Sequence, residues 1–257
     1  MTITSRRGIP ENAPLNPPII SATDLVKVYG QGDTQVRALD GVSATFYPGS
    51  FTAIMGPSGS GKSTLMHCLA GLDQVTSGHI QMDGSQLENL DDNALTKLRR
   101  DEVGFIFQSF NLLPTHTAKE NILLPLDLAG SKPNIDFLAQ LVKSLGLEGR
   151  LNHLPSQLSG GEQQRVAVAR ALISHPAVVF ADEPTGALDT RNSRHLLSYL
   201  RSASQVHGQT IIMVTHDPKA AAYVDRAIIL SDGQVRQDID RPSEETVIQA
   251  MRALGGE

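Results

Sequence analysis

The residues best suited to chemistry lie between Phe51 and Leu72, in the run FTAIMGPSGSGKSTLMHCLAGL. A short apolar segment breaks into Gly and Ser and resumes as an amphipathic segment at Lys62, so the run reads strand, loop, helix. Gly56, Pro57, Ser58, Gly59, Ser60, Gly61, Lys62 and Ser63 fit the pattern G-x-x-x-x-G-K-[ST], and Thr64 follows. Glycines have no Cβ, so successive backbone N–H groups can converge on phosphate oxygens, and the helix adds its positive N-terminal end. On such a loop Lys62 reaches the β- and γ-phosphates and the Ser63 hydroxyl holds Mg²⁺. An ordinary Gly/Ser turn is the plain alternative; the strand before it and the helix after it favour the phosphate loop.

Two later stretches add reactive groups. Leu158-Ser159-Gly160-Gly161-Glu162-Gln163-Gln164-Arg165 opens a strongly periodic helix, placing the amides of Ser159, Gly160 and Gly161 at a second helix N-terminus. Downstream, the run from Ala177 to Ala181 reads as a buried strand that delivers Asp182 and Glu183 together. Burying paired acids is costly without compensation, so a site is favoured over a structural role. Asp182 suits Mg²⁺, directly or through water, and Glu183 suits orienting and deprotonating an attacking water. A further buried strand, Thr210 to Thr215, ends at His216. Taken alone, such a His is usually a satisfied polar residue, but this one closes a strand of what should be the same sheet.

These groups need elements to hold them. Met1 to Pro18 is polar and proline-rich and reads as a mobile tail, so structure is expected from about Ile19. Alternation over Leu25 to Tyr29 and Val36 to Phe46, with a turn at Gly30 to Asp33, predicts antiparallel strands. Tyr29 ends the first of them, either as a half-buried strand aromatic or as a ring stacked on a base. Thr76 to Gly84 reads as a hairpin strand, Asp91 to Arg100 as a helix capped by Asp91 or Asp92, and Val103 to Phe107 as a strand ending at Gln108. From there to about Gly161 the spacing is helical, interrupted by Pro114, Pro125, Pro133 and Pro155, and no convincing strand appears.

Composition narrows the class. A chain of 257 residues that is 40% hydrophobic suits one large α/β domain or a core with a subdomain. The net charge of −5, without a basic run, argues against nucleic acid as a partner. One cysteine, Cys68, fits a reducing compartment and reads as a small buried residue. No run of about 18 apolar residues occurs. Arg6-Arg7 lacks the apolar core that an export signal needs after it.

The phosphate loop, LSGGEQQ and VVFADEP together resemble the ATP-binding subunits of ABC transporters, over roughly Ile20 to Arg236. The loop alone is shared with many NTPases; LSGGEQQ at this distance from it, with the acidic strand downstream, is highly specific, and an unrelated P-loop kinase or GTPase does not explain it. The resemblance implies a P-loop NTPase core, a mixed sheet flanked by helices, with an antiparallel β subdomain in its N-terminal part and an inserted α-helical subdomain. The ATPase domain is expected at 19–240 with the helical insertion at about 109–165; the tail at 1–18 and a helical extension at 241–257 are not covered by the motifs and are assigned no function. By the same resemblance Tyr29 stacks on adenine and Gln108 senses the γ-phosphate and metal. Ser159, Gly160 and Gly161 form the signature, Asp182 binds metal, Glu183 is the catalytic acid, Leu188-Asp189 contacts the dimer partner and His216 is the switch histidine. ATP and Mg²⁺ are the implied cofactors. Two copies are expected to close head to tail, each ATP held between the loop of one and the signature of the other.

Val103 to Pro114 and Glu120 to Leu126 are similar to the branch of macrolide-exporter, lipoprotein-releasing and FtsE-type ATPases. That branch implies a membrane permease with an extracytoplasmic domain, and hence a place on the cytoplasmic face of the membrane. Phe110, Leu112, Leu113 and Pro114 either dock a coupling helix of that permease or belong to the subdomain core. A soluble ABC-type ATPase without transport is the alternative; it usually carries coiled coils, zinc motifs or a second cassette, none of which is in this sequence.

Overall fold

The computed structural model describes residues 17–254; the remainder of the proline-rich start, residues 1–16, and residues 255–257 lie outside the described residues. Alternation produces the antiparallel part as expected. β1 (Ile20–Tyr29) pairs with β2 (Val36–Phe46) on one edge and with β4 (Ser77–Met82) on the other, and the short β5 (Ser85–Gln86) completes a four-stranded sheet. Continuous apolar runs build the second sheet, in the order β10-β9-β3-β8-β7-β6. Its members are β3 (Phe51–Met55), β6 (Val103–Ile106), β7 (Val178–Asp182), β8 (Thr210–Val214), β9 (Arg226–Ser231) and β10 (Gln234–Asp240). Five strands are parallel and β10 runs antiparallel at the edge, so the sheet is mixed.

Strand residues alternate between two cores. Phe51, Ala53 and Met55 face one side with Val179, Ala181, Ile211, Met213 and Ile229, and the helices cover them. Ile54, Phe180, Ile212, Val214, Ile228 and Leu230 face the other, against α1 (Lys62–Leu69) and the antiparallel sheet. Both faces being covered is why these strands read as unbroken apolar runs rather than alternating ones. The helices on the first side are α3 (Ala118–Leu128), α4 (Ile135–Ser144), α5 (Gly160–Leu172), α6 (Thr190–His207) and α7 (Glu244–Leu254); α2 (Asp92–Glu102) contributes Leu95 to the second core.

Helix ends follow the sequence signals. Asp91 caps α2 by accepting from the Ala94 amide, and Thr117 with Glu120 makes a reciprocal cap at α3. Pro125 departs from the reading: it lies inside α3 instead of interrupting it. The helix continues because Ile122 and Leu126, on either side of the proline, are both buried in the core, and that packing outweighs one missing backbone hydrogen bond. Among the described residues no helix is long and apolar enough to cross a membrane.

The loop after β6 is organised by one buried side chain. Asn121 is fully buried, accepts from the Leu113 amide at 2.8 Å, and donates to the carbonyls of Leu113, His116 and Thr117 at 3.0–3.1 Å. Asn121→Leu keeps the volume but leaves the Leu113 N–H without its acceptor, at ~1–3 kcal/mol, while the Leu113 carbonyl still accepts from the His116 amide. A loss of roughly 1–3 kcal/mol in stability is expected, read as a lower urea midpoint at unchanged slope. An unchanged midpoint would show that these bonds are dispensable.

Candidate functional site

Parallel strands bring their carboxyl ends to one edge, where ligands of open α/β sheets bind. β3 ends at Met55 and passes into the glycine-rich loop, β7 ends at Asp182, and β8 ends at Val214 two residues before His216. Registers of Ile54 with Val214 and of Asp182 with Val214 hold the three ends level.

The loop's conformation requires glycine at two positions. Gly56 has φ +148°, and a Cβ there would meet the Leu230 carbonyl oxygen at 2.1 Å; Gly61 has φ +97°, and a Cβ would meet the Ala38 carbonyl oxygen at 2.3 Å. Gly61 is also the N-cap of α1, and no side chain caps the amides of that first turn. The Ser60 hydroxyl is buried without a partner among the described residues. Uncapped amides and an orphaned hydroxyl around a concave loop fit a phosphate chain.

Charge is concentrated beside it. Lys62 is 8% exposed, and its Nζ donates to the Pro57 carbonyl at 2.7 Å. Burial pulls its pKa below the ordinary lysine value, while Glu183 and Asp182 push it back up. Asp182 is raised, first by burial and further by the Glu183 charge, against the opposing pull of His67 and Lys62. Ser63 Oγ donates to Asp182 Oδ1 at 3.5 Å, a long contact that brings the two oxygens together. A serine hydroxyl and one partly buried carboxylate are a suitable protein share for Mg²⁺, which keeps waters and phosphate oxygens as its remaining ligands. Asp182 and Ser63 therefore fit that ion.

Glu183 follows β7 with φ +45°, a left-handed conformation that non-glycine residues avoid. Its amide donates to the Val214 carbonyl and its own carbonyl accepts from Gly186, both at 2.9 Å, so the turn is held from both sides. Its Oε1 lies 2.7 Å from His216 Nδ1. Both side chains line a cleft of about 870 Å³ with Gly56 to Gly59 and Gly61 to Thr64.

Other expected residues lie apart from that cleft. Gln108 packs against Gly186, where an added Cβ would meet its Nε2 at 2.6 Å, beside the acidic turn but not in the cleft wall. Tyr29 is 41% exposed at the cleft margin, paired across the strands with Val36, which does line the cleft. Ser159 caps α5 in a reciprocal arrangement with Glu162, whose carboxyl is held at about 2, chiefly by Arg150. Gly161 lines a separate cleft with Leu188 and Asp189. None of 159–161 lines the phosphate-loop cleft.

Sequence reasoning missed Val36, Arg37, Ala38, Asp232, Gly233 and Met251, all of which line the cleft. Met251 comes from α7, whose buried Val247 and Ala250 seat it on the sheet-facing core. Helical spacing over 243–254 is visible in the chain, but nothing local says where that helix lands.

Comparison with known proteins agrees with this geometry. The sequence pattern of the family described as ABC transporter matches residues 39–186. The chain belongs to that family. It is 47% identical over 222 residues to the uncharacterized ABC transporter ATP-binding protein YbbA of Escherichia coli, covering 86% of this chain and 97% of that protein. It is 49% identical over 226 residues to the macrolide export ATP-binding/permease protein MacB of Hyphomonas neptunium, with 87% of this chain matched. The chain spans only 35% of that exporter's length. Among solved structures it resembles the ATP-binding cassette MJ0796 in a dimeric post-hydrolysis state bound to ADP and Pi, with TM-score 0.79, 40% identity, and 87% of this chain and 99% of the other covered. Members of the family are ATPases that bind ATP with Mg²⁺, and this ABC ATPase has the same fold.

Lys62→Ala removes charge-assisted contacts of roughly 1.5–3 kcal/mol from the phosphates. ATP affinity measured by calorimetry should fall at least about tenfold. Unchanged affinity would remove Lys62 from the phosphate site.

Proposed function

We propose that this ABC ATPase hydrolyses ATP as a homodimer in which the signature of one copy completes the phosphate-loop cleft of the other. The observation that carries this reading is Gly160. Its φ is not left-handed, and an added Cβ would touch only the tip of the Phe110 ring, at 3.7 Å. Nothing among the described residues requires glycine there. An approaching phosphate from a second copy supplies the requirement on this reading, and the similar MJ0796 cassette is dimeric.

Within that arrangement Lys62 holds the β- and γ-phosphates and the uncapped amides of α1 take their oxygens. Glu183 orients a water and accepts its proton as the oxygen bonds to the γ-phosphorus and the bond to the β-bridging oxygen breaks, giving ADP and inorganic phosphate. His216 keeps Glu183 in place through the 2.7 Å contact. Mg²⁺, held by Ser63 and Asp182 with Gln108 nearby, neutralises phosphate charge when bound. Tyr29 offers its exposed ring to the base.

We further propose that the ATPase drives an export-type or force-transmitting membrane permease with an extracytoplasmic domain, and so works at the cytoplasmic face of the membrane. Similarity to ATP-binding/permease exporters supports this. Residues 19–240 form the ATPase domain on this reading, with the helical insertion at about 109–165 and the extension at 241–257.

Two variants test the reading. Glu183→Gln keeps size and polarity, so ATP should still bind while hydrolysis falls by roughly 10²–10⁴, or about 3–5 kcal/mol of barrier, and a closed dimer accumulates. Turnover near the wild-type rate would move the base elsewhere, with His216 next. Gly160→Asp places a carboxylate where the partner's γ-phosphate should approach; monomers should bind ATP normally yet neither dimerise nor hydrolyse. Normal ATP-dependent dimerisation by light scattering would remove the signature from the interface.

A further inference from the structure

A compact cluster beside the cleft is not used by the phosphate chemistry. Asp73 stands in the turn after α1, its amide donating to the His67 carbonyl at 3.2 Å. One of its carboxylate oxygens accepts from the Tyr29 hydroxyl at 2.6 Å, and the other from Lys27 Nζ at 2.6 Å. Lys27 and Tyr29 are two residues apart on β1 and share a face of the strand. The ammonium also donates to the Gln74 carbonyl at 2.6 Å and lies 4.7 Å from the centre of the Tyr29 ring. The ring is thus tied at its hydroxyl and covered by a cation, yet 41% of the residue remains exposed. Val36, directly across from Tyr29, lines the phosphate-loop cleft, so the ring stands at its margin. Burial pulls the Asp73 carboxyl upward, but hydrogen bonds from Lys27 and Tyr29 prevail and hold it below the ordinary range. Burial and the Asp73 hydrogen bond push the Tyr29 phenol up to about 12, so it stays a donor.

We infer that Asp73 is a positioning residue for nucleotide binding: it fixes the Tyr29 ring and pins the Lys27 ammonium over one ring face, leaving the other to receive the base. This rests on the reading of Tyr29 as the base platform. A purely structural ion pair predicts something different. Its side chains are 12% and 30% exposed, and its loss would lower stability slightly without distinguishing one ligand from another.

The platform reading is tested first. The chain has no tryptophan, so Tyr29→Trp creates a single reporter. Its fluorescence should be quenched by ATP but not by tripolyphosphate; absence of quenching overturns the platform and the inference with it. Asp73→Ala should then raise KM for ATP by roughly three- to tenfold, a fraction of what one base–aromatic stack contributes, with kcat and tripolyphosphate affinity unchanged. Asp73→Asn, whose carbonyl oxygen can still accept from Tyr29, should recover part of the loss. In a Tyr29→Phe background Asp73→Ala should raise KM by less than it does alone, because only its hold on Lys27 is left to lose. An unchanged KM, or equal losses for ATP and tripolyphosphate, would overturn the positioning role, while quenching in the Tyr29→Trp protein would still stand for the platform.

Discussion

The site depends on the register of the parallel strands. Phe180 and Val214 face one core, and Ala181 and Met213 face the other, so a one-residue slip of β7 against β8 would exchange every buried side chain between the two. Burial on both faces therefore fixes Asp182 opposite Val214 to within one residue. The Glu183 amide then reaches the Val214 carbonyl, and the acidic turn and His216 emerge side by side. The placement of the acidic turn beside His216 is thus a by-product of hydrophobic packing.

That dependence explains what could be read from the chain alone. Elements whose residues carry their own local signal came through: the strand at Phe51 to Met55, the loop with Lys62, the cap at Asp91, the helix opened by Ser159. Each is specified by neighbours in sequence. Arg37, Asp232 and Met251 reach the cleft from three distant segments, and their presence there follows from how β2, β9 and α7 pack. No periodicity or spacing encodes such a meeting. Pro125 shows the same limit in reverse, because a local rule about proline yielded to burial of Ile122 and Leu126. Glu183 and His216 stand between these cases. Their place at strand ends was legible; their 2.7 Å contact needed the sheet order.

The two halves of the proposed nucleotide site also differ in how they are stabilised. Around Lys62 the chain leaves polar groups wanting: an orphaned Ser60 hydroxyl, uncapped amides, and an Asp182 carboxyl raised by burial. Around Ser159, Glu162 answers both the Ser159 amide and hydroxyl and Arg150 holds Glu162, while the Oε1 of Gln164 in the same helix is buried without a partner among the described residues. Each half thus holds one buried polar atom without a partner, the Ser60 hydroxyl in the phosphate loop and the Gln164 Oε1 in the helix that Ser159 opens.

Glu183 carries one more consequence. A left-handed backbone at a non-glycine residue costs of order 1–3 kcal/mol, and at φ +45° glycine or asparagine would sit there more easily. The chain would thus fold more securely without its proposed base. A laboratory selection for heat resistance alone would drift toward glycine at 183 and enrich a sturdier protein that no longer turns over ATP.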